Sequence, residues 1–120
     1  MNNRNQTQQQ QQKPASASSK ASGRSRSKAL FELGAVVATP AALAQIEVGG
    51  DVGFIAAMRL VRRHVTGDFG QLCDEDRQEN EFSIAHGFRV MSVYDLPSGK
   101  VWVITEHDRS ATTVLLPSDY

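Results

Sequence analysis

Several classes of protein are excluded by what this chain of 120 residues lacks. Its single cysteine, Cys73, rules out an internal disulfide and any paired-thiol zinc site, and points by default to a reducing, cytoplasmic setting. No apolar run approaches membrane-spanning length, and neither a secretory h-region nor a lipidation motif is present, so no membrane partner is expected. A Walker loop, a dinucleotide fingerprint and a Gly-x-Ser-x-Gly elbow are all absent, which leaves no cofactor to expect. Asp68-Phe69-Gly70 spells the metal-binding tripeptide of protein kinases, but the Gly-rich loop, strand lysine and catalytic loop of that fold are missing, so it reads as a turn.

Acidic residues are absent from the first 31 positions. Residues 1–28 are rich in Gln, Ser and Ala and carry six cations (Arg4, Lys13, Lys20, Arg24, Arg26 and Lys28) with almost nothing apolar. Such a segment cannot bury enough surface to offset its ordering entropy, and it is read as a disordered basic tail. Residues 29–120 then form a single small domain. The neutral whole-chain charge hides the split, because the body holds seven basic and thirteen acidic residues.

The body begins with a short apolar run, Ala35 to Ala38, that stops at Thr39-Pro40, an N-cap followed by Pro at the first helical position. A short helix over residues 40–47 follows, with Leu43 and Ile46 inward. Asp51 is expected to cap a second helix whose stripe is Phe54, Met58, Val61 and Val65, with Gly67 as its stop. A third helix is expected from Asp74 to His86, its first turn acidic and its end at Gly87. Adjacent carboxylates there point in different directions, so they read as dipole partners and no metal site is expected.

Residues 88–120 read as two consecutive hairpins. A three-residue Pro97-Ser98-Gly99 loop sets Leu96 opposite Lys100, and so Tyr94 opposite Trp102 and Ser92 opposite Ile104. A four-residue loop, His107-Asp108-Arg109-Ser110, sets Glu106 opposite Ala111 and Val103 opposite Val114. One face then collects Met91, Val93, Val101, Val103, Val114 and Leu116, and the other Tyr94, Trp102, Ile104 and Leu115. The expected fold is α+β: two to three helices on a three-stranded antiparallel meander, with Ala35 to Ala38 as a short extra strand.

Both sheet faces carry apolar residues, so either helices cover both, the ordinary case for an aromatic cluster, or the Tyr94, Trp102 and Leu115 face is left open for a partner. Three functional readings follow. The first reading is a non-enzymatic module that binds a protein partner, with Tyr94, Trp102, Asp108 and Arg109 as binding candidates. The second is a small ribonuclease or its remnant, with His107 as base or acid and Arg109 stabilising phosphate, near His86 and Thr112. In the third, the tail and the flank Arg59, Arg62 and Arg63 contact nucleic acid. Hairpin loops are ordinarily polar and last-turn arginines suit the helix dipole, so the first reading leads.

The stretch Val101-Trp102-Val103-Ile104-Thr105-Glu106, continuing through Asp108-Arg109-Ser110 and Thr112-Thr113-Val114-Leu115-Leu116-Pro117 to Tyr120, resembles a family of small proteins of bacterial plasmids and integrative elements, called plasmid-related protein. Leu33-Gly34, Ala38-Thr39-Pro40, Arg63-His64, Gly67-Asp68 and Asn80 extend the resemblance upstream, so it spans residues 30–120. It implies an accessory protein of a mobile element. Members are often labelled a type I restriction modification subunit, but the Gly-rich loop and Asn/Asp-Pro-Pro-aromatic motif of a methyltransferase are absent here. Family members carry a Trp and no Cys in the region of residues 69–73, so the resemblance implies no catalytic role for Cys73.

Overall fold

A computed structural model describes residues 28–120, and the tail expected over residues 1–28 lies, Lys28 apart, outside the described residues. The chain forms β1 (Ala35–Ala38), α1 (Pro40–Val48), α2 (Gly53–Val65), α3 (Asp74–His86), β2 (Val90–Leu96), β3 (Gly99–Thr105) and β4 (Ala111–Leu115), and ends in a 3₁₀ turn, Pro117–Asp119. The α+β class therefore holds. The sheet is four-stranded and mixed, in the order β1-β4-β3-β2, because β1 adds parallel to β4 beside the antiparallel run of β2, β3 and β4.

The second hairpin has the expected register, with Val103 opposite Val114 and Thr105 opposite Thr112. The first is one residue tighter. Gly99 pairs with Leu96 as a strand residue, so the loop is Pro97-Ser98 alone, and Tyr94 faces Val101 instead of Trp102. Gly99 has φ of 131°, and a Cβ there would lie 2.8 Å from the Gln45 amide nitrogen, which donates to the Lys100 carbonyl. Helix α1 thus approaches the hairpin so closely that only a residue without a Cβ fits at this ladder position.

A one-residue slip moves every side chain of a strand to the opposite face. The face under α1 and α2 accordingly carries Val90, Ser92, Tyr94, Val101, Val103, Thr105, Thr112 and Val114, all 0–1% exposed. Met91 and Val93 lie on the other face with Trp102, Ile104 and Leu115. There Tyr120 packs edge-on against Trp102 at 5.6 Å, and Arg89 lies over the Tyr120 ring. The expected docking pair Tyr94 and Trp102 is therefore divided between two faces, with Tyr94 in the core.

Helix α1 starts as expected, with Thr39 accepting from the Ala42 amide and Pro40 at the first position. Helix α2 does not. Its N-cap is Val52 with no side-chain bond, and the residues turned inward are Ala56, Ala57, Leu60, Val61, His64 and Val65. Phe54 and Met58, expected in the core, are 69% and 38% exposed. Small alanines opposite the sheet let the helix approach closely, which rotates the stripe towards them and leaves the larger pair on the flank. Helix α3 spans the expected residues and ends at Gly87 in the left-handed conformation, φ 78°. Its one buried residue is Asn80.

Candidate functional site

The His107 turn is held by its own backbone. The Glu106 amide donates to the Ala111 carbonyl, the Arg109 amide donates to the Glu106 carbonyl, and the Asp108 carboxylate accepts from the Ser110 amide at 3.0 Å. The Ser110 hydroxyl and amide hold the Asp108 carboxyl below its usual range. Arg109, at φ 60°, reaches out of the turn to donate to the carbonyls of Phe88 at 2.7 Å, Ser83 at 3.1 Å and Glu106 at 3.1 Å. It thereby ties the last turn of α3 to both hairpins and spends its donors on backbone oxygens. His107 is exposed, His86 stacks on Phe82 at 4.1 Å, and Thr112 is buried. The turn does not assemble these residues into one site.

The arginine flank of α2 is divided as well. Arg63 donates to Asp68 at 2.7 Å and lies 4.6 Å from the centre of the Tyr94 ring, while Arg59 and Arg62 are exposed. Arg63 holds the Asp68 carboxyl below its usual range, chiefly through that hydrogen bond. Cys73 is exposed at the N-cap position of α3 and makes no capping bond. Among the described residues, no group of three His, Cys, Asp or Glu side chains is placed to hold a metal ion.

The most concentrated polar chemistry lies where the expected register could not reveal it. His64, 0% exposed, places Nδ1 2.6 Å from the Ser92 hydroxyl and Nε2 2.9 Å from the Thr105 hydroxyl. Thr105 bonds Thr112 at 2.7 Å, and Thr112 donates to the Leu33 carbonyl at 2.8 Å. A carbonyl only accepts, so the chain has one direction. Thr112 donates to Leu33, Thr105 donates to Thr112, Nε2–H donates to Thr105, and Nδ1 accepts from Ser92. Phe31 and Phe69 pack edge-on around the ring. A His beside a Ser hydroxyl could serve acyl chemistry, but the His64, Ser92, Thr105 and Thr112 side chains are all closed to solvent, and the network acts as a core polar lock.

Burial lowers the His64 pKa to about 4, with the Arg109 charge adding to the effect. The folded value lies below the unfolded one near 6.5, so the neutral ring contributes fully above pH 6.5 and its contribution fades as pH falls towards 4. The shift corresponds to about 3 kcal/mol of stability between those limits. Urea unfolding at pH 7 and pH 4 is expected to show that loss, and His64→Leu is expected to remove most of the difference.

The two edges of the sheet differ. On β2, the outward backbone groups are occupied in turn. The Asn80 amide side chain bonds both the N–H and the C=O of Met91, at 3.1 and 2.7 Å. Val93 donates to the Phe69 carbonyl and accepts from the Gln71 amide, and the Gln71 side chain accepts from the Asp95 amide. Gly70 makes this approach possible: at φ 76° it lies so close that a Cβ would be 1.9 Å from the Val93 oxygen. On β1, the Ala35 amide bonds Ser110 and the Thr39 amide bonds Val114. The intervening alternation turns the N–H and C=O groups of Val36 and Ala38 outward, and no other described residue bonds them.

Beside that edge runs a groove of about 130 Å³ lined by Val36, Val37, Leu43, Phe54, Met58 and Val114. Val36 and Val37 are 37% and 49% exposed. The edge is short, four residues, but residues 35–38 include no charge, proline or bulge to guard it. Sequence reading missed this surface because it placed Phe54 and Met58 in the core; the signal available was the alternative stripe Ala57, Leu60, Val61 and His64 on the same helix.

No family model matches the chain, and neither a curated protein nor a solved structure does.

Proposed function

We propose that this protein is a non-enzymatic, cytoplasmic accessory protein of a bacterial mobile element that acts by protein contact, and that the contact face is the β1 edge with the groove beside it. The observation that supports this reading is the asymmetry of the sheet. One edge is closed by hydrogen bonds to the alternate residues Met91, Val93 and Asp95, and the other combines outward-facing backbone groups with an exposed apolar flank. An edge strand beside an apolar groove is the arrangement by which an added strand docks, with backbone bonds supplying affinity and side-chain pockets supplying choice.

The other readings draw less from the molecule. Arg109 has its donors engaged by carbonyls and His107 stands apart in solvent, which gives a ribonuclease reading no paired acid and phosphate anchor. For nucleic acid, Arg63 is engaged by Asp68, leaving Arg59 and Arg62 on that flank.

Quantitative capture from a bacterial host, comparing the wild-type chain with a Val37→Lys/Phe54→Ser variant, tests the contact face. At least one protein, this chain itself included, is expected to be retained by the wild type and reduced more than tenfold by the variant. Identical retention by both, with the variant folded by circular dichroism, would remove the proposal.

A further inference from the structure

We infer that the occupant of this edge is a second copy of the chain, docked β1 to β1 about a two-fold axis through Val37, an inference that rests on reading the edge as the contact face. The stretch bonded to β4 runs from the Ala35 amide to the Thr39 amide. Before it, Gly34 turns the chain at φ 64°, where the Ser110 and Arg109 carbonyls occupy the space a Cβ would need. After Ala38 the chain is still extended at Thr39, with φ −71° and ψ 149°, and the helix starts only at Pro40. The usable strand is therefore residues 35–39, and Val37 is its midpoint.

Antiparallel pairing lets outward-bonding residues oppose only outward-bonding residues. Val36 and Ala38 are the outward pair, so Val36 of one copy faces Ala38 of the other, and Val37 faces its own equivalent across a non-hydrogen-bonded position. The axis stands perpendicular to the sheet, so the four strands of each copy join into one continuous sheet with α1 and α2 of both copies on one side. Phe54 and Met58, which line the groove beside β1, then meet their equivalents above the seam.

Two features favour a second copy over a foreign strand. An edge related to itself by a two-fold is its own complement, and residues 35–38 carry nothing that repels an identical strand. Covering Val36, Val37, Phe54 and Met58 on both copies removes about 700 Å² from water in all, below the range of stable specific interfaces, so the dimer is weak and forms reversibly as concentration rises.

The test uses the full chain with Cys73, which is exposed, replaced by Ser. In that background Val37→Cys places two thiols across the axis at a Cα separation of about 4.5 Å, within the range a disulfide spans. Mild oxidation is expected to yield cross-linked dimer at least tenfold faster than with Val36→Cys, whose equivalents do not face each other. Sedimentation of the unmutated chain is expected to show its mass doubling with rising concentration, and Val37→Lys is expected to stay monomeric. A monomer at all concentrations up to about 0.5 mM, together with equal cross-linking of the two Cys variants, would overturn the second copy. If the Val37→Lys/Phe54→Ser variant nevertheless loses a captured host protein, the contact face stands with a foreign occupant; if it loses none, both readings fall.

Discussion

Replacing His64 with alanine is expected to lower the unfolding free energy by about 4 kcal/mol, from a cavity cost of about 2–3 kcal/mol and the desolvation cost of a stranded buried hydroxyl, about 1–3 kcal/mol. The ring lies between α2 and the sheet and bonds a hydroxyl at each nitrogen, so its loss leaves Ser92 with no acceptor there, while Thr105 keeps Thr112. Domains of this size are stable by about 5–15 kcal/mol, so the variant sits near its unfolding threshold. Denaturant titration at pH 7 measures the loss. A change under 1 kcal/mol would mean that the network contributes little and that His64 is replaceable filler.

Gly70→Ala is expected to cost about 3 kcal/mol and to open the guarded edge. At φ 76° an alanine bears about 1 kcal/mol of left-handed strain, and its Cβ would sit 1.9 Å from the Val93 oxygen and 2.8 Å from the Tyr94 ring. The segment must move away, which breaks the bonds from Val93 to Phe69 and from Gln71 to Val93, about 1 kcal/mol each. Gly50→Ala separates strain from crowding, because Gly50 also has a positive φ, 97°, but nothing lies within 4 Å of its Cβ position. It is expected to cost about 1 kcal/mol. Equal effects at the two glycines would show that the close approach at Gly70 has no energetic weight.

These two residues also mark where sequence reasoning reached its limit. Local chemistry was legible: Thr39-Pro40 opens α1, Asp74 to His86 is a helix closed by Gly87, and the polar turn at His107 sets the β3–β4 register correctly. The Pro97 turn was ambiguous because Pro-Ser-Gly suits a three-residue loop as well as a two-residue one, and the structure has the shorter, with Gln45 of α1 packed against Gly99 and bonded to Lys100. That one-residue difference put Ser92 and Thr105 on opposite faces, which hid the His64 network. It also grouped Tyr94 with Trp102 on one face of the sheet, whereas they lie on opposite faces. The apolar groove was hidden for a related reason: large side chains were assigned to the core, whereas the tight interface is built from Ala56 and Ala57. Closure of the β2 edge depends on Asn80 and Gln71 reaching across 11 and 24 residues, a pairing that no local pattern encodes.

Residue-resolved amide hydrogen exchange tests the asymmetry of the sheet most directly. The Met91, Val93 and Asp95 amides, each bonded at the β2 edge, are expected to exchange slowly at every protein concentration. The Val36 and Ala38 amides are expected to exchange near the unfolded rate in dilute protein and to slow as concentration rises and the second copy docks. Slow exchange of Val36 and Ala38 in the dilute limit, equal to that of Val93, would contradict the account, because the β1 edge would then be closed within the single chain.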